Sequence, residues 1–177
     1  LELAEELNLP FLIHSSVAAV DPWSEVGMLL RIVEAAPRVR FVLAHSCRFD
    51  RPSLDRIAEL PNAWFDCSAH RIHCLGAVRD LPFVAARNRR VPADYNDPAA
   101  VLRTLAETYP DKLIWGSDTP FESFVGRENG TLISLRSTYE EEIACVRALP
   151  EKLRAAITHT NTLAWLQLKD ENLLTRV

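Results

Sequence analysis

Three side chains in this 177-residue sequence occupy equivalent places in three separate apolar runs. His14 closes "PFLIH" (10–14), His45 closes "RVRFVLAH" (38–45) and Asp118 closes "DKLIWGSD" (111–118). Imidazole nitrogens and a carboxylate are ligands for zinc, iron or manganese, and they also move protons at neutral pH. Taken singly, a histidine in an apolar run is more often a hydrogen-bonded core residue than a ligand, and an acid beside Gly, Ser and Pro is ordinary turn chemistry. All three standing where a strand stops is what points to chemistry. A second group, Cys67, His70, His73 and Cys74 in "DCSAHRIHC" (66–74), is rich in ligand types, but its spacing fits none of the usual closed zinc sites. There is no glycine-rich phosphate loop and no Gly-x-Ser-x-Gly elbow, and the five glycines leave little room for a dinucleotide fingerprint.

The elements that must position these residues are legible as an alternation. The three runs and "NAWFDCS" (62–68) are short, almost continuously apolar and not period-two, as expected of strands buried on both faces. Between them, 24–36 carries apolar residues at 26, 29, 30, 33 and 36, one helical face, with Ser24 expected as its N-cap. Residues 51–60 read similarly, and 97–109 opens with an Asp97 cap and Pro98 at the first helical position. Two further helices are expected after the fourth run, in "SLRSTYEEEIACVRAL" and "PEKLRAAITHTNTLAWLQL". A β-α-β-α order implies right-handed parallel crossovers, so the carboxyl ends of the strands share one face and His14, His45 and Asp118 should meet there.

Composition narrows the class. With 48% hydrophobic and 25% charged residues and a net charge of −4, the chain reads as one globular domain with a real core. No apolar run reaches the roughly 18 residues of a membrane span, and the slightly acidic balance argues against nucleic acid. The basic "RNRR" (87–90) reads as a solvated loop between Pro82 and Pro92. Four scattered cysteines suggest reduced thiols and a cytoplasmic setting. The first residues, "LELAEELNLPFLIH", begin inside a helix without an initiator Met, so a missing N-terminal segment is expected.

"LPFLIHSS", "VRFVLAHS", "NAWFDCSAH", "LIWGSDTPF" and "ITHTNTLAWLQL" resemble successive landmarks of the amidohydrolase-related TIM-barrel family, the branch that includes aminocarboxymuconate-semialdehyde decarboxylase and related metal-dependent hydrolases. The resemblance implies an α/β fold of parallel (β/α) barrel type, of which residues 1–177 hold strands five to eight only. By that resemblance His14 matches the fifth-strand metal ligand, His45 the sixth-strand histidine beside the metal, and Asp118 the eighth-strand acid that binds metal and takes a proton from water. The family's first-strand His-x-His occurs nowhere here. That leaves a fragment of a longer enzyme, or a half barrel that pairs to cover its edges at 10–14 and 111–117. His45-Ser46-Cys47 stands where glycines are common in the family.

The implied activity is hydrolysis of an amide, ester or lactone through an activated water. The cofactor would be a divalent metal, zinc before Mn2+ or Fe2+, with Asp118 as acid and base and His45 stabilising an oxyanion or positioning the water. The loop after the third strand would bring His70 or Arg71 to the mouth to orient an anionic substrate. Non-oxidative decarboxylation and an inactive interaction module are the alternatives. The partners expected are a small-molecule substrate, and a second copy or the missing half over the barrel edges, with no nucleic acid and no membrane.

Overall fold

The computed structural model describes residues 1–128 and 131–169. Along the chain run α1 (Glu2–Glu6), β1 (Phe11–Ile13), α2 (Val26–Ala35), β2 (Phe41–Leu43), α3 (Arg51–Glu59), β3 (Ala63–Asp66), α4 (His70–Val78), α5 (Pro98–Thr108), β4 (Leu113–Ile114), β5 (Phe124–Glu128), β6 (Thr131–Leu135), α6 (Tyr139–Arg147), α7 (Glu151–Ala155) and α8 (Asn161–Leu166). The first four strands form one sheet in sequence order. All its pairs are parallel, with Ile13 opposite Leu43, Leu43 opposite Phe65 and Asp66 opposite Ile114. The parallel α/β expectation is met, and each strand is shorter than the apolar run that contains it.

Alternation across the pleat sends the strands' side chains to two layers. Phe41, Leu43, Phe65 and Leu113 join the main core with Val33, Leu54, Ile57 and Leu105 from α2, α3 and α5. Val42, Trp64 and Ile114 face the other way and meet Trp165 of α8. Both faces are therefore covered, which is why β2 and β3 are buried throughout.

Side-chain caps set the starts of α2, α3, α5 and α6. The Asp97 side chain accepts from the Ala100 amide at 3.0 Å. Asp50 caps α3 through Ser53, whose hydroxyl it accepts at 2.6 Å. For α2 the expectation is corrected: Glu25 is the cap, accepting from the amides of Gly27 at 2.8 Å and Met28 at 2.7 Å. Ser24 is instead consumed in a 3-10 turn begun by Pro22, its hydroxyl bonded to Asp21. Residues 66–74 are likewise not a loop throughout. Ala69 turns the chain at φ 52° and α4 runs on from His70, with no Pro or run of turn residues to stop it before Asp80.

A β5–β6 antiparallel hairpin precedes α6, and it takes Ser134 and Leu135 out of the expected helix. That helix starts later because the reciprocal Thr138–Glu141 capping box fixes it there.

One of the two expected bare edges is closed. The Trp115 amide donates to the Ile157 carbonyl at 2.8 Å, and the Asn161 side-chain amide donates to the Leu113 carbonyl at 2.7 Å, so the outer side of β4 is occupied by the C-terminal helices. Among the described residues β1 has no further strand beyond it, and Phe11 and Leu12 are 36% and 60% exposed.

Candidate active site

The parallel register carries His14 and His45 to one place. Ile13 and Leu43 are paired across β1 and β2, and the Ala44 amide donates to the Ile13 carbonyl at 2.8 Å. The next side chains then meet: His14 Nδ1 lies 3.0 Å from His45 Nε2, the rings edge to face at 4.8 Å between centroids. Beneath them is a buried knot at the end of β3. Asp66 Oδ1 accepts from the His45 amide at 2.8 Å, the Ser68 amide at 2.9 Å and the Ser68 hydroxyl at 2.5 Å. β4 leaves across this knot through Gly116, where a Cβ would stand 3.3 Å from the Ser68 Cβ and 3.5 Å from the Asp66 carboxyl carbon. A side chain there would press on the group that holds His45.

After β2 the backbone does something unusual for non-glycine residues. His45, Ser46, Cys47, Arg48 and Phe49 all have φ between 45° and 66°. Left-handed conformation costs an L-residue about 1–2 kcal/mol, and such strain gathers at functional sites. Ser46 and Cys47 thus hold a conformation that glycine would adopt without penalty. The turn aims Arg48 back into the mouth. Its Nε donates to the Ser15 carbonyl at 3.1 Å, its Nη2 lies 3.3 Å from His14 Nε2, and its Nη1 contacts His73 Nε2.

His14, His45, Arg48, His73 and Asp118 line one pocket of about 350 Å³, with Ile72 and Phe124 on its apolar side. Burial first, then the neighbouring Arg48 charge, pulls the His45 pKa down to about 3 and lowers those of His14 and His73. All three rings are therefore neutral at physiological pH. Burial first, then the negative charge of Asp66, raises the Asp118 carboxyl above its ordinary value. The proton positions follow from the partners. Because the Ser68 carbonyl can only accept, His45 Nδ1 at 3.2 Å carries the hydrogen, and His45 Nε2 then accepts from His14 Nδ1. His14 Nε2 lies between the Arg48 guanidinium at 3.3 Å and the Asp21 carboxylate at 3.4 Å.

The other expected site residues lie elsewhere. His70 is buried, its Nε2 2.8 Å from the Pro98 carbonyl and 3.6 Å from Cys74 Sγ. Arg71 pairs with Glu141 at 3.2 Å on the α6 side. Neither lines the pocket, which corrects the expectation that they orient substrate there. One helical turn separates His70 from His73, and it is His73 that faces the mouth. A helical reading of 70–78 is the signal that finds it. No periodicity in the sequence points to Arg48, because its direction depends on the left-handed turn.

By type, His14, His45 and Asp118 are suitable donors for a divalent ion. By number, the set is open: among the described residues no three His, Cys, Asp or Glu side chains stand close enough to enclose one. The described residues also contain no helix long and apolar enough to cross a membrane, and all four cysteines are free.

A parallel sheet with imidazoles and a carboxylate at the carboxyl ends of its strands is an α/β enzyme scaffold. The amidohydrolase family profile matches residues 1–168, and the chain belongs to that family. No curated protein sequence is significantly similar to it. Among solved structures, the chain is similar to amidohydrolase 2 from Bifidobacterium longum subsp. infantis, at 16% identity and TM-score 0.56, over 96% of this chain and 54% of that one. It is also similar to an amidohydrolase from Burkholderia multivorans with bound zinc, at 16% and 0.60, over 94% and 55%. A third is dihydroorotase from Campylobacter jejuni, at 19% and 0.61, over 96% and 51%. At these identities the likeness is one of fold. The chain spans about half the length of the solved structures it matches.

Proposed function

We propose that this chain supplies the second half of a (β/α) barrel in a metal-dependent hydrolase acting on an amide, ester or lactone. The observation that carries the reading is the 3.0 Å approach of His14 to His45 in the pocket that Asp118 shares. His14 and Asp118 would hold a divalent ion with His45 beside it, zinc before Mn2+ or Fe2+, and that ion when bound supplies Lewis-acid polarisation and a lowered water pKa. His45, fixed by Ser68 and Asp66, would orient the attacking water through Nε2 once His14 turns from it to hold the ion. Asp118 takes that water's proton and returns it to the leaving group. Its raised pKa suits a carboxyl that must carry a proton for part of the cycle.

Further β/α units, from a longer polypeptide or from a second copy, would cover the β1 edge and supply the remaining ligands. The open edge with Leu12 60% exposed, and the half-length match to the solved structures, support this.

The test is zinc-dependent turnover of an ester, lactone and amide panel by the protein, its His14→Ala form and its Asp118→Asn form. Full turnover in both variants would end the assignment. Release of carbon dioxide from an aryl acid with no hydrolysis would replace it with the lyase reading.

A further inference from the structure

Arg48 stands where the active-site pocket joins a second one. The neighbouring pocket, about 490 Å³, is mostly apolar, walled by Ala18, Val20, Pro82, Phe83 and Ile133. The two share Arg48, Ile72, His73 and Phe124. A molecule lying across the joint would have its reactive end over His14 and Asp118 and its body against Phe83 and Phe124, with the guanidinium between.

The charge at that joint is balanced only from a distance, by Asp118 and Asp21. A guanidinium has five N–H donors, and Arg48 directs one to Ser15, one to His14 and one to His73, leaving two with no partner among the described residues. No carboxylate comes within ion-pairing distance of it among the described residues, although Asp118 and Asp21 each line one of the pockets. The other arginines drawn into the interior are provided for: Arg90 pairs with Asp80 at 2.5 Å, and Arg40 is held by the carbonyls of Trp165 at 2.5 Å and Asn8 at 2.6 Å. The Arg48 guanidinium is in contact only with the His14 and His73 rings and the Ser15 carbonyl among the described residues. A half-buried cation with spare donors, reached through five strained left-handed residues, is a site that an anion would complete.

We propose that Arg48 anchors a carboxylate of the substrate at the joint between the two pockets, and that the substrate's apolar body occupies the pocket walled by Phe83 and Phe124. This rests on the reading of the first pocket as the active site, and it names the class of molecule admitted: a monoanionic carboxylate with an aromatic or alicyclic body. Arg48 is a specificity-determining residue, distinct from the groups that move the proton.

The test uses 1-naphthoate, acetate and 1-naphthamide as probes, titrated by calorimetry and by NMR of the histidine rings, without metal. The protein should bind 1-naphthoate at least tenfold more tightly than 1-naphthamide, and at least tenfold more tightly than acetate. Arg48→Met should remove the preference for carboxylate over amide, and Arg48→Lys should restore part of it. Circular dichroism and urea unfolding identify any variant that fails to fold, in which case the comparison of Lys with wild type decides.

Equal affinity for acid and amide in the wild type, an unchanged preference in folded Arg48→Met, or no naphthoate binding would overturn the anchor. Acetate binding as tightly as naphthoate would overturn the apolar pocket's role. The reading of the metal site fails separately. Arg48-dependent naphthoate binding without zinc-dependent turnover keeps the anchor and removes the hydrolase. Zinc-dependent turnover without Arg48-dependent discrimination does the reverse.

Discussion

His14 and His45 belong to neighbouring parallel strands, and their facing nitrogens, Nδ1 and Nε2, lie 3.0 Å apart. The pairing of Ile13 with Leu43 sets that distance, and the Asp66–Ser68 knot fixes the tautomer of the second ring. Two neutral imidazoles so placed can share a hydrogen, or, when that hydrogen moves from His14 Nδ1 to its Nε2, turn the two facing lone pairs to a cation.

Zinc titrated into this chain should therefore bind weakly, in the micromolar range or above, because a catalytic zinc generally has three protein ligands and the described set is open. His14→Ala should lower the affinity at least tenfold, and Cys67→Ala should leave it unchanged. Competition against a colorimetric chelator reads both. Tight binding unaffected by His14→Ala would place the ion elsewhere.

Asp66→Ala should cost about 3 kcal/mol in urea unfolding, since it leaves three buried donors without an acceptor. The same change should loosen the His45 ring, seen as an altered proton exchange rate at His45 Nδ1 by NMR. A loss under about 1 kcal/mol would mean that the knot does not hold the turn.

Glu142 gives a stability-versus-pH signature remote from the site. It is buried, its two oxygens accept the Arg71 amide at 3.2 Å each, and burial raises its pKa from 4.5 to about 7. The folded protein binds this proton more tightly than the unfolded chain does. The stabilisation is therefore complete below pH ~4.5 and is lost as pH rises toward about 7, by on the order of 2 to 3 kcal/mol. Glu142→Gln should flatten that slope in urea titrations at pH 5, 6, 7 and 8. An identical slope in the variant would assign it to another group.

Leu12→Lys should suppress self-association through the open β1 edge, because a charge on an edge strand opposes strand addition. Light scattering at increasing concentration should show the wild type gaining mass and the variant remaining monomeric. A monomeric wild type across that range would mean that the edge needs no partner from a second copy.

The parallel sheet, and the strand ends near which His14, His45 and Asp118 stand, can be read from the order of residues. Near-continuous apolar runs such as Phe41–Leu43 and Ala63–Asp66 make sense only when both faces are buried, and parallel crossovers then bring their ends together. His14, His45 and Asp118 are legible because each stands within a few residues of the end of its strand. Tertiary structure alone decided Arg48, whose direction comes from five left-handed residues that no hydrophobic pattern encodes. It also decided His73 over His70, a choice made by which side of α4 meets the pocket and which meets Pro98. The closing of the β4 edge by Ile157 and Asn161 belongs to the same class, because those partners are more than forty residues away along the chain. Burial of a strand face is written in the types of its own residues, whereas the direction of a charged side chain depends on partners that only the folded chain brings near.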